Sequence, residues 1–239
     1  MTNPTAAMIV IGDEILSGRT RDANMHHLAQ VLAEKGVDLR EARVIPDVAE
    51  TIIDTVRTLS DRHTHVFTSG GIGPTHDDIT ADCVAAAFGV PIDVREDARA
   101  LLAAHYDALG LELNEARLRM ARIPEGAELI ENPVSAAPGF SLGNVHVMAG
   151  VPRIFAAMVE SLMPRITGGA PILTETLRID RGEGEIAGPL RDMAESFADL
   201  SFGSYPFQRD GVYGANVVIR GTDPRRIAEA AARLRVLFP

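Results

Sequence analysis

The chain has 239 residues, 46% apolar and 23% charged, an ordinary globular balance with room for more than one domain. Its 33 acidic against 23 basic residues leave a formal charge of -10, and without a long basic run this excludes nucleic acid as a partner. Cys83 is the single cysteine, which rules out an intrachain disulfide or a cysteine-based zinc site. No apolar run approaches the length needed to span a bilayer, so the chain reads as cytoplasmic with no membrane partner.

Ala6 to Ile11 is continuously apolar and too short for a signal-peptide core, and it reads as a strand buried on both faces. Met25, Leu28, Ala29, Leu32 and Ala33 recur at helical spacing over 22–35, and Gly36 stops that helix. Val37 to Ile45 alternates weakly as a second strand. Pro46-Asp47 opens a second helix with Ile52, Ile53, Val56 and Leu59 on its apolar face. His65 to Thr68 is a third strand, and Ala81 to Phe88 a helix ended by Gly89. Residues 95–122 read as two helices broken around Gly110, 132–139 as a loop, and Val145 to Met148 as a strand. A helix then runs from Pro152 to about Leu162, and Thr167 to Pro171 is the linker candidate. Beyond it, a strand at 172–179, a helix at 184–197, strands near 199–206 and 212–220 and a helix at 224–237 form a small α+β unit. The expected domains are 1–166 and 171–239.

Strands alternating with helices predict an α/β fold with a parallel sheet covered on both faces. Ligands in such sheets gather at the carboxyl ends of the strands. That rule places Asp13, Asp47 and the Gly70–Asp78 loop on one edge. Thr68 to Thr80 reads TSGGIGPTHDDIT. Gly70, Gly71 and Gly73 permit positive φ and close approach, so that successive amides can form an anion nest before a helix start. The loop is neither a Walker A nor a G-x-G-x-x-G pattern. Thr75-x-x-Asp78 equally fits a capping box, Asp77 and Asp78 fit the first turn of a helix, Asp13 fits a turn and Asp47 an N-cap. Convergence at one edge favours function: carboxylates around a phosphate nest need a cation, and Mg²⁺ bridges the two. Asp13, Asp77 and Asp78 are the candidate metal ligands, Ser69 and Thr75 the candidate hydroxyl donors, and Pro74 a further candidate ligand-binding residue of the loop. Gly150 and Pro152 open a helix that faces the same site if the strand before it joins the sheet. The histidines show no metal-ligand spacing. His76 fits either a phosphate contact or the surface, and Cys83 a packing role.

The Thr68–Thr80 loop, with Gly12-Asp13-Glu14, Asp22-x-Asn24, Asn132-Pro133 to Phe140 and Gly150-Val151-Pro152, resembles the molybdopterin-binding (MoaB/MogA-like) domain family. The nearest subgroup in pattern is the CinA type, and the N-terminal domain of eukaryotic FAD synthase is also similar. The resemblance covers about 5–165, and more weakly 171–239. It implies a three-layer αβα sandwich with a mostly parallel sheet, plus a small C-terminal α+β domain. It further implies ligand-binding roles for Gly12, Asp13 and Asn24 and catalytic roles for Asp78 and Asp47, the latter matching a position implicated in pterin adenylylation. Many CinA-type chains carry an acidic residue where this one has Ile154, which puts any role of that residue in doubt. The expected function is binding, and hydrolysis with a divalent metal, of a small phosphorylated ligand containing a pyrophosphate, such as ADP-ribose or FAD. Molybdopterin binding or adenylylation is one alternative, and a non-catalytic nucleotide-binding protein the other. A homo-oligomer, dimer or trimer, is implied by the same resemblance.

Overall fold

The computed structural model describes residues 3–209 and 211–239. The chain divides into two units, one ending at Gly169 and one beginning at Ala170. In the first unit, β1 (Thr5–Ile11) leads through one helical turn, α1 (Asp13–Leu16), to α2 (Asn24–Lys35), β2 (Asp38–Ile45), α3 (Ala49–Arg62) and β3 (His65–Ser69). Then follow α4 (Thr80–Phe88), β4 (Ile92–Val94), α5 (Glu96–Ala108), the turn α6 (Glu115–Leu118), β5 (Arg122–Pro124), β6 (Glu128–Ile130), β7 (Gly139–Leu142), β8 (Val145–Met148) and α7 (Pro152–Leu162).

Six strands form one sheet in the order β2-β1-β3-β8-β7-β6. The first four are mutually parallel, and β7 and β6 add antiparallel pairs at one side. β1 shows why its sequence is apolar throughout. Ala7, Ile9 and Ile11 pack with Ile52, Val56 and Leu59 of α3, Val84 of α4 and Leu102 of α5. Ala6, Met8 and Val10 pack on the other face with Leu28 and Leu32 of α2 and Phe155 and Val159 of α7. A strand buried between two helical layers has no solvent side on which to alternate. The result is the three-layer αβα sandwich.

Two local expectations change. The second helix of 95–122 is a single turn, capped by Asn114 Oδ1, which accepts from the Arg117 amide at 3.0 Å. Arg119–Ala121 tightens to a 3₁₀ turn, and Arg122–Pro124 leaves the helix to pair with β4. Pro124 offers no N–H for helix continuation in any case. The helix after β2 starts at Ala49 with Val48 as its N-cap, so Asp47 is not a cap.

In the second unit, β9 (Leu173–Ile179), α8 (Glu183–Ser196), β10 (Ser201–Arg209), β11 (Val212–Gly221) and α9 (Pro224–Leu237) form an antiparallel sheet, order β10-β11-β9, with helices packed on it. Ala215, Val217 and Ile219 alternate inward from β11 against Ile186, Met193, Ile227 and Leu234. Asp223 caps α9, accepting from the Arg225 amide at 2.8 Å. Among the described residues no helix is long and apolar enough to cross a membrane. Cys83 is buried in the first unit, and burial pushes its thiol up to about 11, which suits packing rather than reactivity.

The amino-terminal ends of β3 and β8 carry a buried pair that sequence spacing does not reveal. His65 Nδ1 lies 3.3 Å from His146 Nε2, and His146 Nδ1 lies 2.9 Å from Ser141 Oγ. Burial, then the charges of His65 and Arg165, hold His146 down at about 3. The unfolded chain therefore takes up a proton between pH 6.5 and about 3 that the folded chain refuses. Stability from this group is complete above pH 6.5 and falls as pH drops, by at most about 1.4 kcal/mol per pH unit. Urea unfolding at pH 7, 6 and 5 is expected to show a steeper acid loss in the wild type than in His146→Asn. Equal slopes would refute the assignment.

Candidate functional site

The four parallel strands deliver Gly12, Asp47, Gly70 and Gly150 to one edge of the sheet. The strand order reverses between β1 and β3, the switch point where an open α/β sheet leaves a crevice. A cavity of about 550 Å³ lies there. Of the residues singled out in the sequence, Gly12, Asp47, Gly70, Gly71, Gly73, Pro74, Asp77, Asp78, Gly150 and Pro152 line it. Asp13, Asn24, Ser69 and Thr75 do not.

The glycine loop is fixed by close approach. Gly70 and Gly71 have φ of 109° and 70°. A Cβ on Gly70 would stand 2.2 Å from the Ile11 carbonyl oxygen, and one on Gly71 2.1 Å from Thr80 Oγ1. Thr80 ties the loop down: its amide donates to Gly71 O at 2.9 Å and its hydroxyl to Gly70 O at 3.0 Å. The amides of Gly71, Ile72 and Gly73 donate to no backbone acceptor among the described residues. These three successive amides lie beside the cavity, in the loop where the sequence predicts an anion nest. The helix contributes less than expected. α4 begins only at Thr80, with Ile79 as N-cap, and the first helical amide is spent on Gly71. The α7 end does face the cavity, with Val151 as N-cap and Pro152 in the first turn.

Thr75 and Asp78 meet without forming a capping box. Asp78 Oδ2 accepts from the Thr75 amide at 2.9 Å and from the Thr75 hydroxyl. The pair closes a turn ahead of the helix and sets the carboxylate against Gly73, where a Cβ would lie 2.6 Å from Asp78 Oδ2. Asp47 is held differently: its Oδ2 accepts from the Asp13 amide at 2.9 Å. Asp13 thus contributes its backbone, while the neighbouring Glu14 contributes the carboxylate that lines the cavity. Glu14 stands in Gly12-Asp13-Glu14, directly after the residue that the sequence singles out. Burial raises the Asp47 carboxyl, and the charges of Asp13, Glu14 and Asp77 raise it further. Among the described residues no three His, Cys, Asp or Glu side chains form a preformed metal cage. Asp13, Asp77 and Asp78 therefore do not constitute one.

Asn24 and Ser69 line a smaller recess that shares Glu14, Thr20, Gly150 and Pro152 with the cavity. Asn24 Nδ2 donates to Ser69 Oγ and to Gly150 O, each at 2.7 Å, and both side chains are buried. They clasp α2, the end of β3 and the turn after β8. Asn132 and Ser135, which the sequence places in a loop, also line the cavity. Asn132 orders that loop, its Oδ1 accepting from the Val134 and Ser135 amides and its Nδ2 donating to Ala137 O.

Residues 7–168 match a family model described as a probable molybdopterin binding domain, and residues 171–239 match one described as the middle domain of FAD synthase. A protein of Archaeoglobus fulgidus is 32% identical over 233 residues, covering 97% of this chain and 96% of that one. A probable FAD synthase of Caenorhabditis elegans is 32% identical over 259 residues, covering 98% of this chain and 50% of its own. The crystal structure of CinA from Thermoplasma acidophilum, a protein described as having unknown function, is 33% identical with a TM-score of 0.62. It covers 67% of this chain and 98% of its own.

Proposed function

The chain belongs to the probable molybdopterin binding domain family over residues 7–168, and from that premise we propose that it binds, and with a divalent cation hydrolyses, a nucleotide containing a pyrophosphate. ADP-ribose and FAD are the test cases. A homo-oligomeric state is part of the same proposal.

One juxtaposition carries the reading: the unspent amides of Gly71, Ile72 and Gly73 share a cavity with Glu14, Asp47, Asp77 and Asp78. Amides ask for an anion and crowded carboxylates for a cation, and a metal-bound phosphate satisfies both. Burial first, and after it the charges of Asp13, Glu14 and Asp77, raise the Asp47 carboxyl. The lack of a three-ligand cage suits Mg²⁺, which is commonly held by one or two carboxylates together with substrate phosphates. When bound, such an ion supplies neutralisation of phosphoryl charge. The loop amides hold phosphate oxygens. Thr75 and Gly73 fix the Asp78 carboxylate at the mouth of the nest. Asp47 takes the proton from a water whose oxygen bonds to phosphorus as the bridging P–O bond breaks. ADP-ribose would yield AMP and ribose 5-phosphate, and FAD would yield AMP and FMN.

Purified protein with ADP-ribose or FAD and Mg²⁺, Mn²⁺ or Co²⁺ is expected to release AMP, and Asp78→Ala and Asp47→Asn each to lower kcat by about a hundredfold. Wild-type release no faster than that of Asp78→Ala would sink the hydrolase reading. Binding without product would instead mark a nucleotide-holding protein.

The apolar wall of Ile11, Ile72, Met120, Val151 and Ile154 supports a second reading, since it suits the fused rings of molybdopterin as well as those of a flavin or adenine. Tighter calorimetric binding of molybdopterin than of ADP-ribose would favour it.

A further inference from the structure

Among the described residues no Lys or Arg lines the large cavity. A second, smaller recess shares its walls at Gly71, Ile72, Gly73, Asp78 and Met120, and two arginines line that recess, Arg119 and Arg122. Their states differ. Arg122 is bound bidentately by Asp82, with Nη1–Oδ2 at 2.8 Å and Nη2–Oδ1 at 2.6 Å, so its charge and donors are already matched. Arg119 has no carboxylate within ion-pair distance among the described residues. Its Nη2 makes only a long 3.4 Å approach to the Asp78 carbonyl oxygen. Its Nε is buried with no hydrogen-bond partner.

A buried donor nitrogen without an acceptor costs the folded chain its desolvation, and here that nitrogen is Nε of a half-buried arginine. The loop beside it offers more unspent donors, the amides of Gly71 to Gly73. The recess measures about 20 Å³, room for one or two water-sized groups and too small for a ring. A phosphate oxygen fits that size and accepts from the guanidinium, while the loop amides stand where the recess meets the large cavity, beside the position of a neighbouring phosphate. Guanidinium suits the role because its donors form a fixed planar fork that matches phosphate oxygens.

We propose that Arg119 is the second phosphate-binding group of this site, taking a non-bridging oxygen of one phosphate of a diphosphate while the Gly71–Gly73 amides hold the other. The inference rests on the phosphate reading of the cavity and deepens it: Arg119 selects diphosphates over monophosphates. The 3₁₀ turn at Arg119–Ala121 and the pairing of β5 with β4 anchor the residue on structure separate from the glycine loop. The three arginines of Arg117-Leu118-Arg119-Met120-Ala121-Arg122 are visible in the sequence, but helical spacing gives no reason to choose the middle one.

The test is calorimetric titration of the full chain with ADP-ribose and, separately, AMP, both with Mg²⁺, for wild type, Arg119→Ala and Arg119→Lys. Arg119→Ala is expected to weaken ADP-ribose binding by about tenfold to a hundredfold and AMP binding by less than about threefold. Arg119→Lys is expected to recover part of the loss. The unfolding midpoint of Arg119→Ala is expected to be unchanged or raised, because only the long contact to the Asp78 carbonyl oxygen is lost, whereas a structural role would lower it. Wild type binding neither ligand would overturn the phosphate reading and this inference together. Wild type binding both, with Arg119→Ala matching it on ADP-ribose, would overturn the role of Arg119 alone. An equal loss on both ligands would overturn the assignment to the second phosphate.

Discussion

Gly70→Ala is expected to lower the stability of the chain by about 3 kcal/mol or more and to abolish ADP-ribose binding. Two costs add. The backbone there has φ of 109°, a conformation that alanine adopts only under strain. The new methyl would also sit 2.2 Å from the carbonyl oxygen of Ile11. That neighbour is backbone, so no rotamer change relieves the clash. Ile11 is paired with Ile45 of β2, and Gly12 follows it directly. Any shift therefore moves the cavity wall opened by β1 and loosens the Gly70 carbonyl from Thr80 Oγ1. Gly89→Ala is the matched control. Gly89 has φ of 69° with open space around its Cβ position, so only the backbone cost of about 1 kcal/mol is expected, with binding intact. Urea unfolding and titration with ADP-ribose on both variants decide the matter. Similar losses in the two would show that the close approach to Ile11 does not matter.

Asn24→Ala is expected to cost about 2–4 kcal/mol and to weaken binding indirectly. Both hydrogens of the Asn24 amide are spent, on Ser69 Oγ and Gly150 O, in a buried place. Removing them leaves the Gly150 carbonyl without that partner and releases the turn whose backbone comes close to Gly70. Asn24→Asp sharpens the test. It keeps the shape but replaces two donors by a carboxylate facing the Gly150 carbonyl oxygen. At pH 7 it should be at least as destabilised as Asn24→Ala, and it should recover as pH falls and the carboxyl regains a proton. A ligand-contacting Asn24 would behave differently, losing affinity with little change in unfolding midpoint. Stability data on the two variants thus separate the clasp from a binding role.

The sequence by itself determined whatever depends on local chain preference. The unbroken apolar run of Ala6 to Ile11 required a strand covered on both faces, and the structure supplies two helical layers. The alternation of strands and helices fixed a parallel sheet, and hence one edge where Gly12, Asp47, Gly70 and Gly150 meet. Gly70 and Gly71 signalled positive φ, because few other residues tolerate it. The tertiary structure alone decided which side chains line the cavity. Asn24 meets Gly150 across 126 residues and is absent from the lining of the large cavity. The Asp13 amide meets Asp47 across 34, which leaves the cavity to Glu14. Arg119 reaches the Asp78 turn across 41 only because residues 119–124 abandon the helix that their spacing suggested. The physical reason is one of range. Periodicity and φ preference act over a few residues and are written into the local order of the chain. The direction of a polar side chain is set by partners brought from distant segments, and no local pattern specifies them.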